Sequence, residues 1–159
     1  MTSKDAFTED EWVRIRRAPM VAGMAISIAD PGGPIEMTKE TMASMKAASA
    51  PPSNEELLIA VSQDIMAMAQ QKQNPLGGFK VENAAMAGKE ILDELGAANE
   101  IVTAKATPDE AAGYRRWLIA VAQAAADSAK EGGFMGFGAE QVSQGERTML
   151  DQLDATLGG

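Results

Sequence analysis

Carboxylates around two turns are the side chains of this chain best placed to do chemistry. Asp30 and Glu36 flank Pro31-Gly32-Gly33-Pro34, and Asp127 and Glu131 precede a glycine-rich stretch that begins at Gly132. Calcium and magnesium take oxygen ligands converging from such turns. Asp30, Glu36, Asp127 and Glu131 therefore form a candidate divalent-cation set. No EF-hand loop accompanies them, because Asp30 is not followed by Asp or Asn at the third and fifth positions. Helix capping is the simpler account, since the helix dipole favours Glu36 and Glu40 near a helix N-terminus.

The second candidate is the stretch Gly132-Gly133-Phe134-Met135-Gly136-Phe137-Gly138. A phosphate cradle would need a basic residue soon after the glycines, and none comes before Arg147. Phe134, Met135 and Phe137 instead suggest either a lid on the core or an exposed apolar tip that contacts a protein partner. The lid is the favoured expectation. The paired arginines Arg16-Arg17 and Arg115-Arg116 read as ion-pair partners for nearby Asp10, Glu11, Asp109 and Glu110. Met37, Met42, Met45, Met66, Met68 and Met86 recur at helical spacing and read as core filler.

The missing residues narrow the chemistry further. The chain has no histidine and no cysteine. It therefore lacks the usual general base near neutral pH, thiol nucleophiles and the commonest zinc ligands. No P-loop, dinucleotide fingerprint or HExxH is present. Catalysis would have to rest on carboxylates or a desolvated lysine, so a non-catalytic protein with no resident cofactor is expected. The net charge of −9 repels phosphate backbones and anionic lipid. Residues 1–80 carry eight basic and ten acidic groups, and residues 81–159 carry six and thirteen. The acidity is thus concentrated in the second half, and nucleic acid is not an expected partner.

Those side chains must be positioned by helices. Alanine, methionine, glutamate and lysine are strong helix formers, and β-branched residues never alternate in a strand-like run. The 159 residues are read as one all-α domain, residues 1–159, long enough for a sizeable core. Capping boxes start helices at Thr8-x-x-Glu11, Ser53-x-x-Glu56, Thr107-x-x-Glu110 and Ser143-x-x-Glu146. The first helix is apolar on all sides over residues 18–29 and carries Pro19, where a kink or break is expected. A second helix from Ile35 to about Ala48 should turn Met42 and Met45 inward. The third carries the stripe Leu57, Leu58, Val61, Ile65 and Met68. A fourth, from about Glu82 to Val102, should bury Ala85, Gly88, Leu92, Leu95 and Ile101. The fifth, from Pro108, carries Tyr114, Trp117, Leu118, Val121 and Ala125, and the sixth carries Met149, Leu150, Leu153 and Leu157. Trp117 should be buried.

An internal echo pairs residues 8–17 with 107–116, and residues 58–63 with 118–123. Three αα-hairpins in tandem is the simplest account, giving a six-helix bundle centred on the first and fifth helices. Residues 18–29 are about a dozen apolar positions, short of the ~20 a membrane span needs. The N-terminus is polar, with no signal peptide visible, so a cytoplasmic protein is expected.

Phe7-Thr8-x-Asp10-Glu11-Trp12, Ala18-Pro19, Ala29-Asp30-Pro31, Trp117-Leu118, residues 130–138 and Val142-Ser143-x-x-Glu146 together resemble a family of small bacterial helical proteins of uncharacterised function. That resemblance implies a bacterial origin and an all-helical fold. The Val142-Ser143-x-x-Glu146 helix start is also similar to the tellurite-resistance B-type domain, with Ala29-Asp30 followed here by Pro31. The leading expectation is a binding or interaction protein. The alternatives are a divalent-cation module using the acidic turns and a carboxylate-dependent enzyme.

Overall fold

A computed structural model describes residues 2–29, 33–130 and 144–158. Six α-helices follow in order: α1 (Glu9–Ala29), α2 (Pro34–Ala48), α3 (Glu56–Gln70), α4 (Ala87–Lys105), α5 (Pro108–Lys130) and α6 (Gln144–Gly158). Short 3-10 turns lie at Lys4–Ala6 and Ala84–Met86. The described residues contain no strand, and the architecture is an all-α six-helix bundle. α1 and α5 each pack against all the other helices. The middle of the three expected hairpins does not form as such: α3 and α4 share no substantial interface, and each packs on α1.

Local sequence explains where most helices start. Thr8 and Glu11 form a reciprocal box, with Thr8 N–H donating to Glu11 Oε1 at 2.8 Å and Glu11 N–H to Thr8 Oγ1 at 3.2 Å. Thr107 and Glu110 repeat the arrangement at 3.1 and 3.2 Å, with Pro108 at the first helical position. α6 begins one residue after Ser143, which itself lies outside the described residues.

Ser53 does not cap α3. Its hydroxyl is buried without a hydrogen-bond partner among the described residues, and α3 begins at Glu56. The free N–H of Leu57 instead donates to Glu110 Oε2, 3.1 Å away. A carboxylate from α5 thus does the work expected of the local serine. It carries more charge and sits among donors from three segments.

Pro19 neither breaks α1 nor leaves its backbone unsatisfied. A proline at this position deprives the carbonyl four residues earlier, that of Ile15, of its usual donor. The hydroxyl of Tyr114 donates to that carbonyl at 2.8 Å. Ile15 and Tyr114 are both fully buried, so water cannot serve in its place. Burial, with the nearby charge of Glu94, pushes the Tyr114 phenol well above its usual range and keeps it a donor.

A buried carbonyl left unpaired costs about 1–3 kcal/mol, so Tyr114→Phe should destabilise the protein by that amount. In a Pro19→Ala background the restored backbone N–H serves Ile15, and the same change should cost under about 1 kcal/mol. A double-mutant cycle by urea denaturation reads the difference. Equal costs in both backgrounds would show that the hydroxyl does not replace the missing N–H.

The α1–α2 crossing is set by size. A Cβ placed on Gly23 would lie 2.1 Å from Ser44 Oγ and 2.6 Å from Ser44 Cβ. The second atom is fixed to the α2 backbone, so α2 itself would have to move. Gly23→Ala should therefore destabilise by roughly 1–3 kcal/mol, although alanine gains up to about 1 kcal/mol in helix propensity. Thermal unfolding measures the sign. A stabilised Gly23→Ala protein would mean that the helices are not in close contact there.

Two stripes are rotated from expectation. α4 buries Ala87, Ile91, Glu94, Leu95, Ala98 and Val102, while Ala85 is exposed and Gly88, Leu92 and Ile101 are half-buried. The rotation carries Glu94 inward to meet α1. α2 buries Glu40, Ser44 and Ala48, not Met42. Met45 is half-buried. Only small or hydrogen-bonded side chains fit where α2 crosses Gly23, so the large ones face out. The other stripes follow expectation, with Leu57, Leu58, Val61, Ile65, Trp117, Leu118, Val121, Met149 and Leu153 buried and Leu150 half-buried; Trp12 and Ile15 of α1 are buried as well.

Candidate interaction surface

The outward face of α2 is the feature that packing leaves unexplained. Ile35 and Met42 on it are 73% and 67% exposed. Met37, Met66 and Met86 are exposed as well, so four of the six methionines expected as filler stand in solvent, and Met68 alone is buried. Ile35, Lys39, Met42 and Lys46 follow one another at four- and three-residue steps and share one helix face.

Three tethers hold that face outward. Gly33 N–H donates to Glu36 Oε2 at 3.2 Å and fixes the start of the helix. Ser27 of α1 hydrogen-bonds to buried Glu40. The indole N–H of Trp117 donates to Ala47 O at 3.0 Å, near the C-terminal end of α2 where carbonyls lack helical donors.

Beside this face runs a groove of about 690 Å³ between α2 and the second half of α5, lined by Lys39, Met42, Ala43, Lys46, Ala124 and Asp127 among others. Lys4, Lys89 and Lys105 are paired with Asp64, Asp93 and Glu11 at 3.4, 2.7 and 2.6 Å. Lys39 and Lys46 have no ion pair among the described residues. The groove is thus apolar at its floor and positively charged at its α2 rim, on a chain of net charge −9.

The charged cluster on α1 is engaged in holding helices together, whereas Arg115 and Arg116 make no ion pair with Asp109 or Glu110. Arg17 donates to Glu94 Oε1 through Nε at 2.7 Å and Nη2 lies 2.6 Å from the same oxygen, while Arg14 Nε lies 3.3 Å away. Arg17 also stacks on Phe79, 5.5 Å from its ring centre, and reaches Gly77 O at 3.4 Å. Gly77 and Gly78 have φ of 57° and 86°, which glycine adopts without strain and which folds the loop back onto Arg17. Arg16 lies 3.9 Å from Asp64 of α3. The arginines of α1 therefore pair across helices, not with Asp10 or Glu11 as expected. Glu11 pairs with Lys105, whose hydrogen bond lowers its pKa. Clefts of about 380 and 480 Å³ flank the Arg14–Arg17 pair, with acidic and basic groups mixed along both.

Glu110 is a buried and heavily bonded carboxylate. It accepts Thr2 N–H at 3.1 Å, Thr2 Oγ1–H at 2.5 Å, Leu57 N–H at 3.1 Å and Thr107 N–H at 3.1 Å. Burial alone would raise its pKa. The bonds from Thr2, Thr107 and Leu57 outweigh burial and hold it at about 2.

Of the expected cation set, Glu36 and Asp127 are described. Glu36 caps α2, and Asp127 accepts from Gln123 Nε2 at 3.0 Å in the groove that also holds Lys39 and Lys46. Asp30 and Glu131 lie outside the described residues, as do Phe134, Met135 and Phe137. Among the described residues no three acidic side chains come together as a metal site. No described helix is long and apolar enough to cross a membrane.

Sequence reasoning missed the α2 face because it counted large apolar side chains as inward. The usable signal was Glu40, Ser44 and Ala48 at four-residue spacing opposite Gly23. The Arg17–Glu94 pair joins residues 77 positions apart and left no local sign. Compared with family models, with curated proteins and with solved structures, the chain gives no match in any of the three.

Proposed function

We propose that this chain is a non-catalytic interaction protein of the bacterial cytoplasm, and that the outward face of α2 is its contact surface. The observation that carries this reading is the exposure of Ile35 and Met42 on one face of a helix whose opposite face is packed against α1 and α5. Large apolar side chains exposed on one face beside polar ones mark contact sites, and methionine adapts its shape to a partner. The absence of histidine and cysteine supports a role in binding over catalysis. The bacterial setting rests on the family resemblance.

A photo-crosslinking amino acid at position 42, in protein expressed in bacterial cells, should give discrete crosslinked products. The same probe at Lys89, on the solvent face of α4, should give none. Equal crosslinking at both positions, or none at position 42, would overturn the reading.

A further inference from the structure

We infer that the α2–α5 groove takes an amphipathic helix whose apolar stripe is flanked on one side by carboxylates two turns apart. The inference rests on the reading of α2 as the contact face and adds the chemistry of its partner. Charge complementarity carries it. Lys39 and Lys46 sit seven residues apart on the α2 rim, which is about 10 Å along a helix, and neither is ion-paired among the described residues. Elsewhere the protein is strongly acidic.

The opposite wall carries Asp127, so carboxylates fit on the α2 flank only, and the α5 flank calls for neutral or basic residues. Between the walls, Ala43 and Ala124 are small enough for a helix backbone to approach closely, and Met42 supplies an adaptable apolar contact. This is the helix-in-groove mode of recognition, read by anchors one and two turns apart.

The test uses the full chain and three synthetic helical peptides sharing one leucine stripe. Their α2-side flank bears glutamates, glutamines or lysines, and binding is followed by fluorescence anisotropy. The glutamate peptide should bind about tenfold more tightly than the lysine peptide at low salt, a gap of the size two rim ion pairs supply. Added salt should narrow it. Lys39→Glu/Lys46→Glu should reverse the order, and Met42→Ser should weaken all three peptides, with circular dichroism confirming that each variant stays folded.

Three peptides that bind equally, and lose binding on Met42→Ser, would overturn the acidic-helix inference while leaving the contact face in place. Binding of phosphatidylglycerol vesicles in place of any peptide would overturn it in favour of a lipid surface. No binding by any probe would also overturn it, and the crosslinking at position 42 would then decide the contact face separately.

Discussion

Glu110→Ala is expected to cost on the order of 4 kcal/mol. Hydrogen bonds to a charged group contribute about 1.5–3 kcal/mol each, and Glu110 accepts from the backbones of Thr2, Leu57 and Thr107 and from the Thr2 hydroxyl. The bonds are not additive, which keeps the sum below four times the single value. Alanine would leave the first turns of α3 and α5 without their acceptor and release the N-terminal segment. Such a loss is a large share of the ~5–15 kcal/mol that holds a domain together. Chemical denaturation measures it, and a cost under about 1 kcal/mol would show that water replaces the carboxylate.

Glu110 also makes acid stability predictable. Its pKa falls from 4.5 to about 2 on folding. A depressed carboxylate pKa means that the unfolded chain binds the proton first. The stabilisation is therefore complete above pH 4.5 and is lost as pH falls toward 2. A shift of that size corresponds to about 3 kcal/mol. Glu110→Gln removes the titrating group, so its stability should decline less steeply over that window. Parallel pH profiles for the two proteins would refute the assignment.

Trp117→Ala should cost about 3–5 kcal/mol, the usual range for truncating a buried aromatic ring. Trp117 is fully buried, meets Tyr114 edge-on with ring centres 6.4 Å apart, and ties α5 to the end of α2 through Ala47. Ala47 O also accepts the N–H of Ala50 at 3.2 Å, so the carbonyl keeps one partner in the variant. The loss is then mainly of packing, where alanine leaves a cavity between α2 and α5. In a chain of this length the thermal midpoint should drop by roughly 10 °C. Trp117→Phe should cost less, because it keeps most of the volume. A drop of only a few degrees for alanine would mean that the neighbouring helices collapse onto the gap.

How much of this was legible depended on whether the cause was local. The boxes at Thr8 and Thr107 join residues three apart, and they start helices where the sequence places them. The stripes of α3 and α5 were equally readable, since large apolar side chains dominate their buried faces. Ser53 failed because its role passed to Glu110, 53 residues from the N–H it satisfies. α4 turned by about one residue because Glu94 is buried against Arg17 of α1, a pairing that apolar counting ignores. Pro19 was read from its backbone defect alone, while the remedy came from Tyr114 on another helix. The candidate surface was the least legible, because the outward turn of Met42 is decided by the absence of a side chain at Gly23.

The most direct measurement pairs stability with binding in one variant, Ile35→Ser/Met42→Ser. Exposed side chains away from any structural tether contribute within about 0.5 kcal/mol each. The unfolding free energy should therefore stay within about 1 kcal/mol of the wild-type value, while crosslinking through a probe at Lys39 should disappear. A variant that loses several kcal/mol, or one that keeps its crosslinks, would contradict the assignment of α2's outer face as a contact surface.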